Sequence, residues 1–317
     1  MEKRSYFKNL LGISKSTFKA WMKADPFRQS SVIAYYAVFS LPALLVIVIT
    51  CAGWAFGQEA VQGEVSGQIS QIIGKESAKQ VEEMIIKMNE QKNSVWAAII
   101  GIVTLIVAST GVFTQLQVSL NLVWGVEVKA KKQWLKSIKD RLFSFGLILS
   151  IGFLLLISLV ISSALSLLSD WIRYHLKDFT VILLWFVNFI ISFGITSTLF
   201  ALMYKILPDA KIRWKDVYIG SIVTTLLFLL GKFALGVYFG KAEPGSVYGA
   251  AGSIILVMLW VSYSCMILLL GAEFTKQYAI QFGNGIKPAN DAVLLDEKEV
   301  QKITGGDESE PKGDGKS

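Results

Sequence analysis

Residues 179–204 read FTVILLWFVNFIISFGITSTLFALMY and contain no Asp, Glu, Lys, Arg or His. A helix rises about 1.5 Å per residue, so about 20 such residues cross a hydrocarbon core of roughly 30 Å. Hydrocarbon offers no partner to backbone amides, and a helix satisfies them internally. The alternating polarity of a membrane β-barrel strand is absent from this stretch. The segment therefore predicts a helix that spans a membrane.

Five further blocks have the same character, and only 17% of the chain is charged, against about 25% in a typical soluble domain. We therefore predict an all-α, polytopic membrane protein, a bundle of six transmembrane helices with amphipathic interfacial helices. The expected parts are an N-terminal amphipathic segment (1–31), a transmembrane domain (32–282) with an external helical loop (57–93), and a disordered acidic tail (283–317). The predicted spans are residues 32–56, 95–118, 142–168, 179–204, 217–239 and 248–270.

Lys and Arg residues indicate how the bundle is oriented. The N-terminal segment and the loops after the second and fourth spans carry seventeen of them, whereas the three intervening loops carry seven. Loops rich in Lys and Arg stay in the cytoplasm. Both chain ends are therefore expected in the cytoplasm.

Apolar residues recur at helical spacing among lysines in residues 7–23 and again in 129–141. Each pattern predicts an amphipathic helix on anionic headgroups of the inner leaflet, where each basic residue contributes about 1 kcal/mol. The alternative is that these lysines act only as topology signals. Two apolar stripes in the external loop predict two short helices, which either cap the bundle or lie on the outer leaflet.

Lys232 is the first candidate for a functional side chain, because a charge within a span is costly. One interpretation is an anion contact within a cavity. The other is a lysine whose stem reaches along the helix to place its ammonium at the outer interface.

A polar stripe marks the second span, where Thr110, Thr114, Gln117 and Asn121 share one helix face. An amide that faces lipid would leave its donors unpaired, so we expect this face to point inward. It either lines a polar cavity or bonds neighbouring helices. Thr114, Gln117 and Asn121, together with Lys232, form the candidate intramembrane polar site.

Three residues are candidates for structural or gating roles. Pro42 removes a backbone hydrogen bond and should kink the first span. Gly249 belongs to a series of small residues that permits close helix approach. Glu273 closes the last span, where an ion pair with Lys276 at i+3 competes with a proton-coupling role.

No pattern of an enzyme is visible. The chain has a single histidine, His175, in a predicted external loop, and two cysteines, Cys51 and Cys265, in apolar blocks. Metal-ligand spacing and phosphate-binding glycine motifs are missing. We therefore expect no catalysis, metal or cofactor.

An ordered series of short motifs runs through the chain from about Phe18 to Gln281. It consists of Ala34-Tyr35-Tyr36, Phe39-Ser40-Leu41-Pro42, Asn121-Leu122-Val123-Trp124-Gly125, Leu207-Pro208-Asp209, Trp214-Lys215-Asp216, Gly231-Lys232, Tyr238, Tyr248-Gly249-Ala250-Ala251-Gly252, Trp260 and Gly271-Ala272-Glu273. This series resembles the BrkB/YihY family of membrane proteins. The resemblance implies a six-helix protein of the bacterial inner membrane, with some members linked to serum resistance and virulence. It also brings an older label, ribonuclease BN.

Three functional hypotheses follow. The first is transport-like or envelope lipid handling, on the strength of Lys232 and the polar stripe. The second is a non-transporting membrane scaffold, in which the same polar groups serve packing. The third, a tRNA-processing ribonuclease, is disfavoured because no catalytic constellation is visible. Membrane lipids with anionic headgroups are the expected partners, a homo-oligomer is a further candidate, and no nucleic acid is expected.

Overall fold

The computed structural model describes residues 2–40, 63, 67, 95–128, 179–242, 252–289 and 292–295. The helices in these ranges are long, and the strands are short. In chain order they are α1 (Glu2–Lys23), α2 (26–40), α3 (Val95–Trp124), β1 (Val126–Val128), α4 (Phe179–Ile206), β2 (Ala210–Lys211), α5 (Trp214–Ala242), α6 (Gly252–Phe282), β3 (Lys287–Pro288) and β4 (Ala292–Leu294).

Three helices in the described part of the chain are long and apolar enough to cross a membrane. Their apolar segments are Phe189–Ile206, Trp214–Phe239 and Ile254–Phe282. They confirm a mostly helical membrane protein. Predicted span 142–168 and most of span 32–56 lie outside the described residues, so the count of six stays a prediction.

The helices overrun the predicted spans where they pack on other parts of the protein. Helix α3 continues to Trp124, six residues past the predicted end, because Leu120, Val123 and Trp124 are buried in the core. Helix α6 continues to Phe282, where Ala279 is fully buried.

A turn of defined chemistry joins α1 to α2. Asp25 adopts a left-handed φ of 49°, and its carboxylate accepts hydrogen bonds from the Arg28 backbone amide (3.4 Å) and Arg28 Nε (2.9 Å). Pro26 follows directly, at the first helical position, where the missing N–H costs nothing.

Helices α5 and α6 pack antiparallel through a reciprocal contact. A Cβ at Gly220 of α5 would overlap the hydroxyl of Thr275 on α6, and a Cβ at Gly271 of α6 would overlap the hydroxyl of Thr224 on α5. Both threonines donate to the carbonyl four residues earlier, at 2.7 Å. The missing side chain of each glycine therefore leaves the space that the threonine of the other helix occupies. By contrast, Gly236 on α5 has no atom within 4 Å of the position that a Cβ would take.

The buried core lies where α3 and α4 end and α5 begins, against the middle of α6. Trp124 and Tyr204 meet edge to face there, with ring centroids 6.2 Å apart. The Tyr204 hydroxyl donates to the Leu268 carbonyl at 2.8 Å and lies 2.9 Å from the Thr224 hydroxyl. Cys265 is also buried in this core, as predicted for a small apolar side chain.

Two antiparallel ladders close the same end of the bundle. Strand β1 pairs with β4, Val126 opposite Leu294, and β2 pairs with β3, Ala210 opposite Pro288. Gly125, with a φ of 68°, ends α3 in the left-handed conformation and turns the chain into β1.

The prediction of a disordered tail from residue 283 is wrong for its first part. Residues 283–289 and 292–295 are ordered because the loops after α3 and α4 offer them backbone partners. Residues 296–317 lie outside the described residues.

Candidate functional site

Asp209 lies at the centre of a polar cluster with Gln117 and Asn121, which we call the Asp209 cluster. The cluster lies at the end of the bundle where the two β-ladders form, which we call the sealed end. Asp209 Oδ2 accepts hydrogen bonds from Asn121 Nδ2 at 2.9 Å and from Gln117 Nε2 at 3.1 Å. Its backbone amide donates to Asn121 Oδ1 at 2.8 Å, and its carbonyl accepts from the Ala289 amide at 2.9 Å. Asp209 thus joins α3, the α4–α5 loop and the C-terminal segment.

The last two residues of the predicted polar stripe, Gln117 and Asn121, therefore do point inward and hydrogen-bond the α4–α5 loop. Asn121 is 9% exposed and Gln117 is half-buried, while Thr110 is half-buried and Thr114 is exposed. The four residues do not act as one group, because Asp209 reaches only the last turns of α3. Asp209 is noticeable in the sequence only as part of the motif Leu207-Pro208-Asp209, and its pairing with Asn121, 88 residues away, could not be predicted from the spacing.

Arg213 and Asp216 form a second polar contact at this end. Arg213 Nε and Nη2 donate to the two oxygens of Asp216 at 2.9 Å and 3.0 Å, and Nη2 also donates to the Phe282 carbonyl at 3.3 Å. Asp216 is 1% exposed in the first turn of α5, where the helix dipole favours an acid. The hydrogen bonds to Asp216 raise the pKa of Arg213, and the bond to the Phe282 carbonyl ties the start of α5 to the end of α6.

Glu273 is almost fully buried on α6. Its Oε1 accepts a hydrogen bond from Gln277 Nε2 at 2.8 Å, one turn further on, where we had considered an ion pair with Lys276. The contact is local to α6 and consistent with a packing role.

Lys232 is exposed on α5, far from the Asp209 cluster. It lies about 27 Å along the axis from Trp214, where the helix begins. The structure therefore does not unite Lys232 with Gln117 and Asn121, which we had grouped in one polar site.

Helices α4 and α5 are in contact at one end, and the continuation of their contacting faces towards Lys232 is exposed. Near the sealed end they are in contact, with the hydroxyls of Ser197 and Ser221 at 3.2 Å. Phe186 on α4 and Lys232 on α5 each lie about three turns beyond this pair, on the same faces of their helices. Phe186 is 52% exposed, Ile190 is 53% exposed and Lys232 is exposed. We call the space that these three residues border the α4–α5 opening.

The remaining candidates cannot be placed. Pro42 and Gly249 lie outside the described residues, as do Cys51 and His175. Among the residues that are described, no group of three His, Cys, Asp or Glu is arranged to hold a metal ion. That finding covers part of the chain only, so the absence of an enzymatic reaction stays a prediction.

Five of the motif residues lie in or beside the core at the end of the bundle that holds the Asp209 cluster: Asn121, Trp124, Asp209, Asp216 and Gly271. The family model described as virulence factor BrkB matches residues 17–293. The chain belongs to the BrkB family. The resemblance seen in the sequence is thereby confirmed.

Curated relatives of this BrkB family member are named UPF0761 membrane proteins. One from Tolumonas auensis is 26% identical over 252 residues, 77% of each chain. One from Cronobacter sakazakii is 29% identical over 80% of this chain and 85% of its own. One from a Psychrobacter species is 24% identical over 87% of this chain but only 50% of its own length. No solved structure matches significantly.

Proposed function

We propose that this BrkB family protein handles lipid, in a transport-like manner, in the bacterial cytoplasmic membrane, with both chain ends in the cytoplasm. The observation that supports the proposal is the α4–α5 opening. The two apolar helices touch at Ser197 and Ser221, and further along the same faces are exposed, from which we infer that the helices separate there.

An opening between two apolar helices is accessible to lipid from the side. Phe186 and Ile190 on α4 present an apolar wall suited to an acyl chain. At the opposite end, the Asp209 cluster and the two β-ladders join α3, the α4–α5 loop and the C-terminal segment, from which we infer that access from the water is restricted there. Lateral access combined with one closed end suits a lipid better than a soluble solute.

The alternative is a non-transporting scaffold, and the sealed end supports it. Gln117 and Asn121 serve packing there, as that hypothesis expects. In the scaffold, the α4–α5 opening would hold only bulk lipid and filling it would have no effect.

A reconstituted assay separates the two. The full-length protein is placed in vesicles with a fluorescent phospholipid, and the rate at which a membrane-impermeant quencher reaches inner-leaflet label is measured. We expect faster exchange than in protein-free vesicles, and a return towards the protein-free rate in Ile190→Trp, which fills the opening.

The matched control is Leu230→Trp. Leu230 is 68% exposed and lies about 200° around α5 from Lys232, so its substitution adds the same bulk away from the opening. It should behave as wild type. Wild-type vesicles that exchange no faster than protein-free ones would favour the scaffold.

A further inference from the structure

We infer that the α4–α5 opening is a binding site for a phosphate-bearing lipid, with the Lys232 ammonium on the phosphate and an acyl chain along Phe186 and Ile190. The inference rests on the proposed function, because it names the class of lipid on which that function would act.

The face of α5 on which Lys232 lies is the first argument. Leu226, Leu230 and Phe233 form the outward face of the helix and are 50%, 68% and 74% exposed. Lys232 instead continues the line of Ser221, which contacts α4. A lysine that only extended to the interface from the lipid-facing side would share the face of Leu230 and Phe233. Lys232 borders the opening.

The depth of Lys232 is the second argument. At about 27 Å along α5, in a core of roughly 30 Å, its ammonium lies near the headgroups of the leaflet opposite the β-ladders. A phospholipid whose phosphate met this ammonium would place its chains towards the sealed end, along α4. The phosphate and the acyl chains of one phospholipid would thus each meet a suitable surface.

The composition of the site is the third argument. Lysine binds phosphate as a point charge, and the neighbouring Phe186 and Ile190 are apolar. A soluble organic phosphate would meet one charge and no further polar partner among these residues. A lipid gains from the charge and from the burial of its chain, so the mixed lining favours a lipid.

Retention of lipid by the full-length protein in detergent tests the inference. Phosphatidylglycerol is titrated and bound lipid is counted by native mass spectrometry, with glycerol 3-phosphate as the chain-free probe. We expect Lys232→Met to weaken phosphatidylglycerol binding about fivefold, the weight of one basic residue at an anionic lipid surface. Ile190→Trp should weaken it as well, and glycerol 3-phosphate should not bind.

Two lysine variants serve as controls. Lys232→Arg keeps the charge and should retain the lipid, which guards against a loss caused by misfolding. Lys215→Met removes an exposed lysine at the start of α5, away from the opening, and should bind as wild type.

Equal retention by wild type and Lys232→Met would overturn the inference, and so would an equal loss in Lys215→Met. Binding of glycerol 3-phosphate that depends on Lys232, with no effect of Ile190→Trp, would assign the site to a soluble organic phosphate instead. Lipid exchange that persists in a variant unable to retain phosphatidylglycerol would overturn this site but not the proposed function. Normal retention of phosphatidylglycerol without any lipid exchange would overturn the proposed function but not this site.

Discussion

Asp209 carries more contacts than its place in a loop suggests. Two amide donors, from Gln117 and Asn121, converge on one of its oxygens. Replacing Asp209 by Ala leaves both amides without that acceptor in a largely enclosed site. Hydrogen bonds to a charged group contribute roughly 1.5–3 kcal/mol each, so we expect a loss of at least about 3 kcal/mol for the pair. The thermal unfolding midpoint of the purified protein in detergent reports it.

Glu127→Ala is the matched control for this change, because Glu127 is an exposed acid on β1. It should unfold close to the wild-type temperature. Asp209→Asn, which keeps the shape and one acceptor oxygen, should fall between the two. An Asp209→Ala midpoint equal to that of Glu127→Ala would show that the cluster does not stabilise the fold.

At the scale of elements, the reciprocal contact of α5 and α6 depends on two glycines. Gly220→Ala and Gly271→Ala each place a methyl group on a threonine hydroxyl of the other helix. Overpacking of this kind costs about 1–3 kcal/mol. Gly236→Ala, on the same helix as Gly220 but in open space, should instead gain up to about 1 kcal/mol of helix propensity. Unfolding in detergent measures all three, and similar effects at the three glycines would rule out close packing as the cause.

Helix α1 has two unlike faces. Ile13 and Thr17 are buried, and Trp21 Nε1 donates to the Met266 carbonyl at 3.2 Å, so one face packs on the protein. Phe18 and Met22 are 57% and 47% exposed on another face. The predicted helix is confirmed, whereas its contact with anionic lipid stays a prediction.

The lysines of α1 test that contact. Lys15, Lys19 and Lys23 are exposed, and each should contribute about 1 kcal/mol at an anionic surface. In the intact protein in nanodiscs, we expect slower amide exchange in residues 12–23 with phosphatidylglycerol than with phosphatidylcholine. Substitution of all three by Gln should remove most of that difference, and substitution by Arg should keep it. A difference that survives the Gln variant would leave the lysines as topology signals.

At the scale of the whole molecule, the ends of α3, α4 and α6 meet at one end of the bundle, joined by the ladders. The charge distribution predicts that this end is cytoplasmic. Topology reporters fused at Ser137 and Ser317 should therefore read cytoplasmic, and one at Gly67, which is helical and exposed, should read external. An external signal at Ser137 would overturn the orientation.

The helices could be predicted from the sequence because an apolar block of sufficient length has one stable form in hydrocarbon. The strands could not. Ala210–Lys211 and Lys287–Pro288 are each too short to show a period, and they pair only because the loop and the C-terminal segment meet in space. The inward direction of Asn121 followed from the cost of an unpaired amide, but its acceptor depended on that same long-range meeting.

Strand β4 reaches back across about half of the chain to pair Leu294 with Val126. During synthesis α3 leaves the ribosome long before β4 exists, so β1 stays unpaired while helices α4, α5 and α6 are made. Strands β3 and β4, which are made after the described helices, thus complete the pairing at this end of the bundle. A ribosome that stalls before Lys287 would release a chain with α3 to α6 made and both β1 and β2 unpaired, a form suited to recognition by quality-control proteases.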